Sequence, residues 1–180
     1  MINIFAERIA ALRGVMERNG WDAVVVSGSD PHSSEYPAPR WQQVKFLSGF
    51  TGEAGDLVVT QDHAGLWTDS RYFIQANKEL EGSGVELHKV SQPDSTEWCS
   101  WLGNNLPNGG TVGIDGLCMS SAVVAEMEEC IASANGKILN YLSQTYLYPS
   151  KMEDLVYASQ LLQAEAIKYG VEHLRRHRGR

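Results

Sequence analysis

A chain of 180 residues holds one ordinary domain with a sizeable core and little more. Hydrophobic residues make up 43% and charged residues 21%, which excludes an intrinsically disordered chain, and the net charge of -7 argues against a phosphate backbone as the main partner. No apolar run approaches the roughly 18 residues of a membrane helix, and residues 1–8 lack the apolar core of a secretory leader, so the expectation is a cytoplasmic protein with neither nucleic acid nor membrane as partner.

In chain order, Phe5, Ile9, Leu12 and Met16 recur at steps of four, three and four, one stripe of a helix ending near Asn19-Gly20. Asp22-Ala23-Val24-Val25-Val26-Ser27-Gly28 is a β-branched run closed by glycine, the pattern of a central strand buried on both faces. Residues 29–40 are rich in Ser and Pro and predict a loop, and apolar character returns at Val44-Lys45-Phe46-Leu47. Residues 56–60 and 64–68 read as two strands of a hairpin turning at Gln61-Asp62-His63. A helix is predicted over 71–80, stopped by Glu81-Gly82-Ser83-Gly84, and a half-exposed strand over 85–90. Asp94-Ser95-Thr96-Glu97 has the form of a capping box and opens a helix carrying Trp98, Trp101, Leu102 and Leu106.

Residues 111–115 form a short strand, Ser120 or Ser121 can cap a helix bearing Val124, Met127 and Ile131, and 137–142 reads as a last strand. Leu155, Ala158, Leu161, Leu162 and Ala166 mark a further helix before a basic tail over 172–180. Cys99, Cys118 and Cys130 contain no close pair and read as reduced thiols. Strands alternate with helices except at the hairpin, so the predicted class is α/β: a mixed central sheet with helices packed on its faces. Residues 1–142 form the domain, and 143–180 a helical basic tail or the start of a next segment.

Three segments carry a family resemblance. Ser27-Gly28-Ser29-Asp30-Pro31-His32-Ser33-Ser34-Glu35-Tyr36 resembles an Asp-x-His-x-Ser-Glu-Tyr loop. Phe46-Leu47-Ser48-Gly49-Phe50-Thr51-Gly52-Glu53-Ala54-Gly55 resembles Ser-Gly-Phe-x-Gly-Ser-Ala-Gly. Ala64-Gly65-Leu66-Trp67-Thr68-Asp69-Ser70-Arg71-Tyr72-Phe73-Ile74-Gln75-Ala76 resembles Trp-Thr-Asp-x-Arg-Tyr-x-x-Gln-Ala. In this order, and followed by Val112-Gly113-Ile114-Asp115, they are similar to the creatinase/prolidase amino-terminal domain, of ribonuclease H-like fold, and most closely to that of cytosolic-type Xaa-Pro aminopeptidases.

Gly49, Gly52 and Gly55 fall within seven residues, permitting positive backbone angles or close chain approach; a phosphate cradle would need the Lys-Ser/Thr that is missing here. Asp69 can cap the helix after it, and Arg71 offers a planar fork suited to a carboxylate or a peptide carbonyl; pairing with an acidic neighbour to hold the turn is the other reading. His32, Glu35, His63 and Asp69 have no compact metal-ligand spacing and read as loop polar residues. Trp67, Trp98 and Trp101 read as core or interface anchors, whereas Trp41 lies in a loop where packing and an interface both remain open.

The resemblance implies that Arg71, Asp69, His32, Tyr36 and Trp41 approach the substrate groove of a larger enzyme. It also implies that chemistry there belongs to a carboxyl-terminal pita-bread catalytic domain, in which two Asp, one His and two Glu hold two divalent metal ions, usually manganese. That site needs roughly 200 further residues. The expectation is therefore a domain, as a truncation or a natural fragment, without catalytic residues, metal or cofactor of its own. It would shape access of proline-containing peptides and contribute to the contacts of a homo-oligomeric parent. The alternatives are a free-standing protein-interaction module, prolidase-like or creatinase-like specificity in the parent, and an independent enzyme using His32 and Glu35 as acid and base.

Overall fold

A computed structural model of the chain describes residues 3–93 and 95–140. The expected helix near 155–166, the basic tail, the end of the 137–142 strand and the proposed boundary at 142 lie outside the described residues, as does Asp94.

The first helix, α1 (Ile4–Asn19), is capped by the Asn3 side chain, which accepts the Phe5 amide at 2.9 Å, and ends at Gly20 in the left-handed region. Its inner stripe is Ile9, Leu12, Val15 and Met16; Phe5 is only half-buried. Strands β1 (Ala23–Val26), β2 (Asp56–Thr60), β3 (Ala64–Thr68), β4 (Glu86–Lys89), β5 (Thr111–Ile114) and β6 (Lys137–Asn140) form one sheet in the order β4-β3-β2-β1-β5-β6. β2 runs antiparallel to β1 and β3, and the β1–β5, β3–β4 and β5–β6 pairs are parallel. β2 is therefore the one reversed strand, and the C-terminal ends of β1, β3 and β5 share a rim with the N-terminal end of β2.

The period of two along each strand divides the core into two layers. Val24, Val26, Leu57, Val59 and Leu66 meet α1 and α2 (Gln43–Ser48), while Ala23, Val25, Val58, Trp67, Val112 and Ile114 meet α4 (Glu97–Asn105) and α5 (Ser121–Ile131). The mixed sheet covered on both faces bears out the α/β class expected from the sequence. Among the described residues no helix is long and apolar enough to cross a membrane.

The hairpin turn is closed by the Thr60 hydroxyl, which donates to Asp62 at 2.7 Å and accepts the His63 amide at 3.0 Å. Ser120 caps α5 through the Val123 amide, and α3 (Phe73–Glu79) starts two residues later than expected. α4 opens after Thr96, which makes no side-chain cap, and the Glu97 carboxylate accepts from the amide and hydroxyl of Ser91 and from the hydroxyl of Ser95, while the Asp94 half of the expected capping box lies outside the described residues. α2 was signalled only as returning apolar character. Cys99 and Cys118 are buried, Cys130 is half-buried, and all three are free thiols.

Candidate binding rim at the strand ends

The loop after β1, the Gly49–Gly55 turn before β2 and the turn after β3 converge on the shared rim, so the three segments quoted above meet in space. Their interlock is specific. Gly28 donates its amide to Asp56 Oδ1 at 3.1 Å, and a Cβ on Gly28 would stand 2.5 Å from the Gly55 carbonyl oxygen, so the two chains approach as closely as glycine allows. Trp98 in α4 donates its indole N–H to the other oxygen of Asp56 at 3.0 Å, and burial drives that carboxyl above the usual carboxylate range. Thr68, at the end of β3, donates its hydroxyl to the Ala54 carbonyl at 2.6 Å.

The glycine turn is held from the other side by α3. Glu79 accepts the Thr51 amide at 2.8 Å and the Thr51 hydroxyl at 2.6 Å, and Gln75 donates to that hydroxyl oxygen at 2.8 Å. Phe50 and Tyr72 meet edge to face with centroids 5.8 Å apart, and a Cβ on Gly52 would run into Phe50 and lie 2.7 Å from Tyr72. Gly49 closes α2 with φ 83, and a Cβ there would stand 2.7 Å from the Phe5 ring, so positive backbone angle and close approach, the two uses expected of these glycines, meet at Gly49, while at Gly52 close approach alone applies.

Asp69 is 3% exposed, and it receives the Arg71 side chain in bidentate fashion, Nε to Oδ1 at 2.9 Å and a terminal nitrogen to Oδ2 at 2.7 Å, as well as the Arg71 amide at 3.0 Å. Those hydrogen bonds hold its carboxyl below the usual carboxylate range, against the opposing effect of burial. Asp69 thus orders the turn ahead of α3; Tyr72 stands at the cap of that helix, and no side chain bonds there. Arg71 remains 57% exposed, so the acidic pairing orients its guanidinium and leaves it facing solvent.

Two hollows open on this rim. The larger, about 440 Å3, is lined by Asp30, Glu53, Asp56 and Asp69 together with Trp67 and Trp98, and among the described residues no basic side chain lines it. The smaller, about 230 Å3, is lined by Glu35, Tyr36, Trp41, Gln42 and Gly52, and it shares Gly28, Glu53 and Gly55 with the first. The structure therefore gathers Tyr36 and Trp41 in one hollow and places Asp69 in the other. His32 lines neither hollow. Its side chain is exposed, while its amide and that of Ser34 donate to Asp30 Oδ1 at 2.9 Å, contacts that lower the Asp30 carboxyl. Glu35 lines the smaller hollow without His32, so the acid–base pair weighed from the sequence is not assembled.

Sequence reasoning missed two groups. Asp115, 6% exposed, is pushed up by burial and accepts the Leu117 amide at 3.0 Å; burial likewise raises Cys118 to about 12. His63, read as a loop residue, instead packs its ring against Trp101, Trp67 and His88 at the far end of the hairpin. Among the described residues that corner holds the one convergence of three metal-ligand types, His63, Glu86 and His88, and its single carboxylate does not fit a pair of bridged ions.

Residues 8–143 match the model of the Creatinase/Prolidase N-terminal domain. The chain belongs to this family. A Pyricularia oryzae protein named "Probable Xaa-Pro aminopeptidase P" is 43% identical over 138 residues, 77% of this chain and 22% of that protein. "Aminopeptidase P2" of Arabidopsis thaliana is 35% identical over 153 residues, 84% of this chain and 21% of the relative. The chain thus spans about a fifth of the length of these curated relatives. Among solved structures, the X-prolyl aminopeptidase of Caenorhabditis elegans, described as a cytosolic enzyme with a di-nuclear active site, superposes with a TM-score of 0.68 and 33% identity over 75% of this chain and 23% of its own. The N-terminal domain of the cytoplasmic peptidase PepQ from Mycobacterium tuberculosis shares the fold at 22% identity and a TM-score of 0.52, with 74% of this chain covering 91% of that one.

Proposed function

We propose that the chain is the non-catalytic amino-terminal domain of a cytoplasmic peptidase that removes an N-terminal residue preceding proline. In this reading it covers the groove of a carboxyl-terminal catalytic domain, restricts access, and contributes to subunit contacts. The observation that carries the reading is the rim itself: three family segments interlock through buried contacts, and Arg71, His32 and Tyr36, the last 72% exposed, are among the side chains they leave outside. The larger, acidic hollow beside them suits an approaching cation or amine.

A bond to proline has no N–H to offer a binding site, so recognition falls on carbonyls and on the downstream part of the peptide. Arg71, its fork aimed by Asp69, supplies donors for those acceptors. Trp41 and Tyr36 supply apolar area for the proline ring and its neighbours. The two divalent ions, with manganese as the expected metal, belong to the partner domain, where they would activate water.

Purified chain supplied with manganese is expected to release no amino acid from an Arg-Pro-Pro peptide, and metal-dependent release would overturn the reading. In a chimaera carrying residues 1–142 in place of the matching N-terminal quarter of the C. elegans enzyme, Arg71→Ala is expected to raise KM about tenfold with kcat little changed. An unchanged KM would remove Arg71 from the groove.

A further inference from the structure

At the end of the hairpin opposite the rim, His63 and His88 bring their Nε2 atoms to 3.0 Å, and Oε2 of Glu86 lies 3.8 Å from Nδ1 of His63. One ligand atom from each of the three residues lies within 4.8 Å of the others. We propose that His63, His88 and Glu86 form a binding site for a single divalent transition-metal ion of the zinc, cobalt, nickel and copper class, at the β4 edge of the sheet.

The spacing is the first argument. Two imidazole nitrogens about 2.0–2.1 Å from one ion, at angles between square and tetrahedral, stand about 2.9–3.4 Å apart, and the histidine pair already has that separation. Fixed ring orientation is the second. Trp67 stacks on His88 at 3.9 Å and 12°, and Trp101 lies against His63 at 4.8 Å, so both imidazoles are held by aromatic walls. The third is a cradle: β4 pairs Glu86 with Gly65, and a Cβ on Gly65 would stand 2.8 Å from Nε2 of His63 and 2.7 Å from Cδ2 of His88. The missing side chain gives the two rings their room.

Access and protonation agree with this assignment. Glu86 and His88 are two apart on a strand and share a face, β4 is the end strand, and the side chains of Glu86 and His63 are 69% and 23% exposed, which opens the remaining coordination positions to water. Without an ion, one ring donates its Nε2 proton to the other. With an ion, that proton moves to Nδ1 of the same ring. Two imidazoles and one carboxylate suit this class of metal better than calcium or magnesium, which prefer oxygen.

The test is a calorimetric titration of the full chain with Zn2+, paired with Co2+ as a visible-absorption probe. His173 and His177 lie four apart in the sequence and can bind metal independently, so the readout is the difference from H63Q/H88Q. That variant is expected to lose one equivalent of Zn2+ and the Co2+ bands of that equivalent, and E86Q to weaken the same equivalent about tenfold. Stoichiometry and affinity unchanged in H63Q/H88Q would overturn the site. Should the variant fold poorly, long-range 1H–15N spectra of the unsubstituted chain decide: Zn2+ is expected to shift Nε2 of His63 and His88, and resonances that stay in place would overturn it.

Discussion

Asp69 is enclosed as thoroughly as many leucines, yet Arg71 keeps it ionised through two side-chain bonds and one amide bond. An unfolded aspartate titrates near 4, and in the folded rim the pKa is lower. A depressed folded value means that this contribution to stability is complete above the unfolded pKa and is lost as pH falls through the folded one. Asp69→Asn is therefore expected to lower the urea midpoint at pH 7, and the gap from the parent chain is expected to close as the pH is taken below about 4. A gap that persisted in acid would assign the loss to packing. Arg71 and Asp69 were legible as a pair because only Ser70 separates them, and a turn fixes so short a span. His63 and His88 were not, since 25 positions divide them and only the parallel pairing of β3 with β4 brings them together.

Among the elements, the glycine turn shows what a motif can tell before any fold is known. Three glycines so close announced tightness, but the rings that press on them, Phe5 on Gly49 and Phe50 with Tyr72 on Gly52, come from different segments. Gly52→Ala is expected to cost about 1–3 kcal/mol, the usual penalty for overpacking, measured as a drop in urea midpoint at constant slope. Full stability in that variant would mean the rings give way freely. Elements of ten or so residues with regular apolar spacing, such as α1 and α5, were readable. α2 was not, because its six residues are too few to display a helical period. The bonds from Ser91 to Glu97 were likewise illegible, because six positions separate the two and only the loop ahead of α4 brings them together.

At the scale of the whole molecule, β1, β2 and β3 serve both layers: Leu57 of β2 lies in the α1 layer, Leu102 of α4 in the other, and Val24 and Val25 take opposite sides in adjacent positions of β1. Leu57→Ala and Leu102→Ala, both at fully buried sites, are each expected to cost about 2–5 kcal/mol. In each variant, circular dichroism and tryptophan fluorescence are expected to report one coincident urea transition; separate midpoints would show that the layers melt independently. The layered plan was legible because strands of unbroken β-branched residues announce burial on both faces, whereas strand order was not. It rests on pairings between residues as distant as Ala23 and Val112, which no local pattern encodes.

The reversed strand has a geometric corollary. Sliding β2 by a single residue along β1 would turn Val58 toward α1 and send Leu57 and Val59 to the opposite side. The same slip would carry Gly55 and Asp56 about 3.3 Å past Gly28, breaking the amide and indole bonds that Asp56 receives. Correct threading of the sheet and correct assembly of the rim are thus one event during folding, and a misregistered sheet could not present that edge intact.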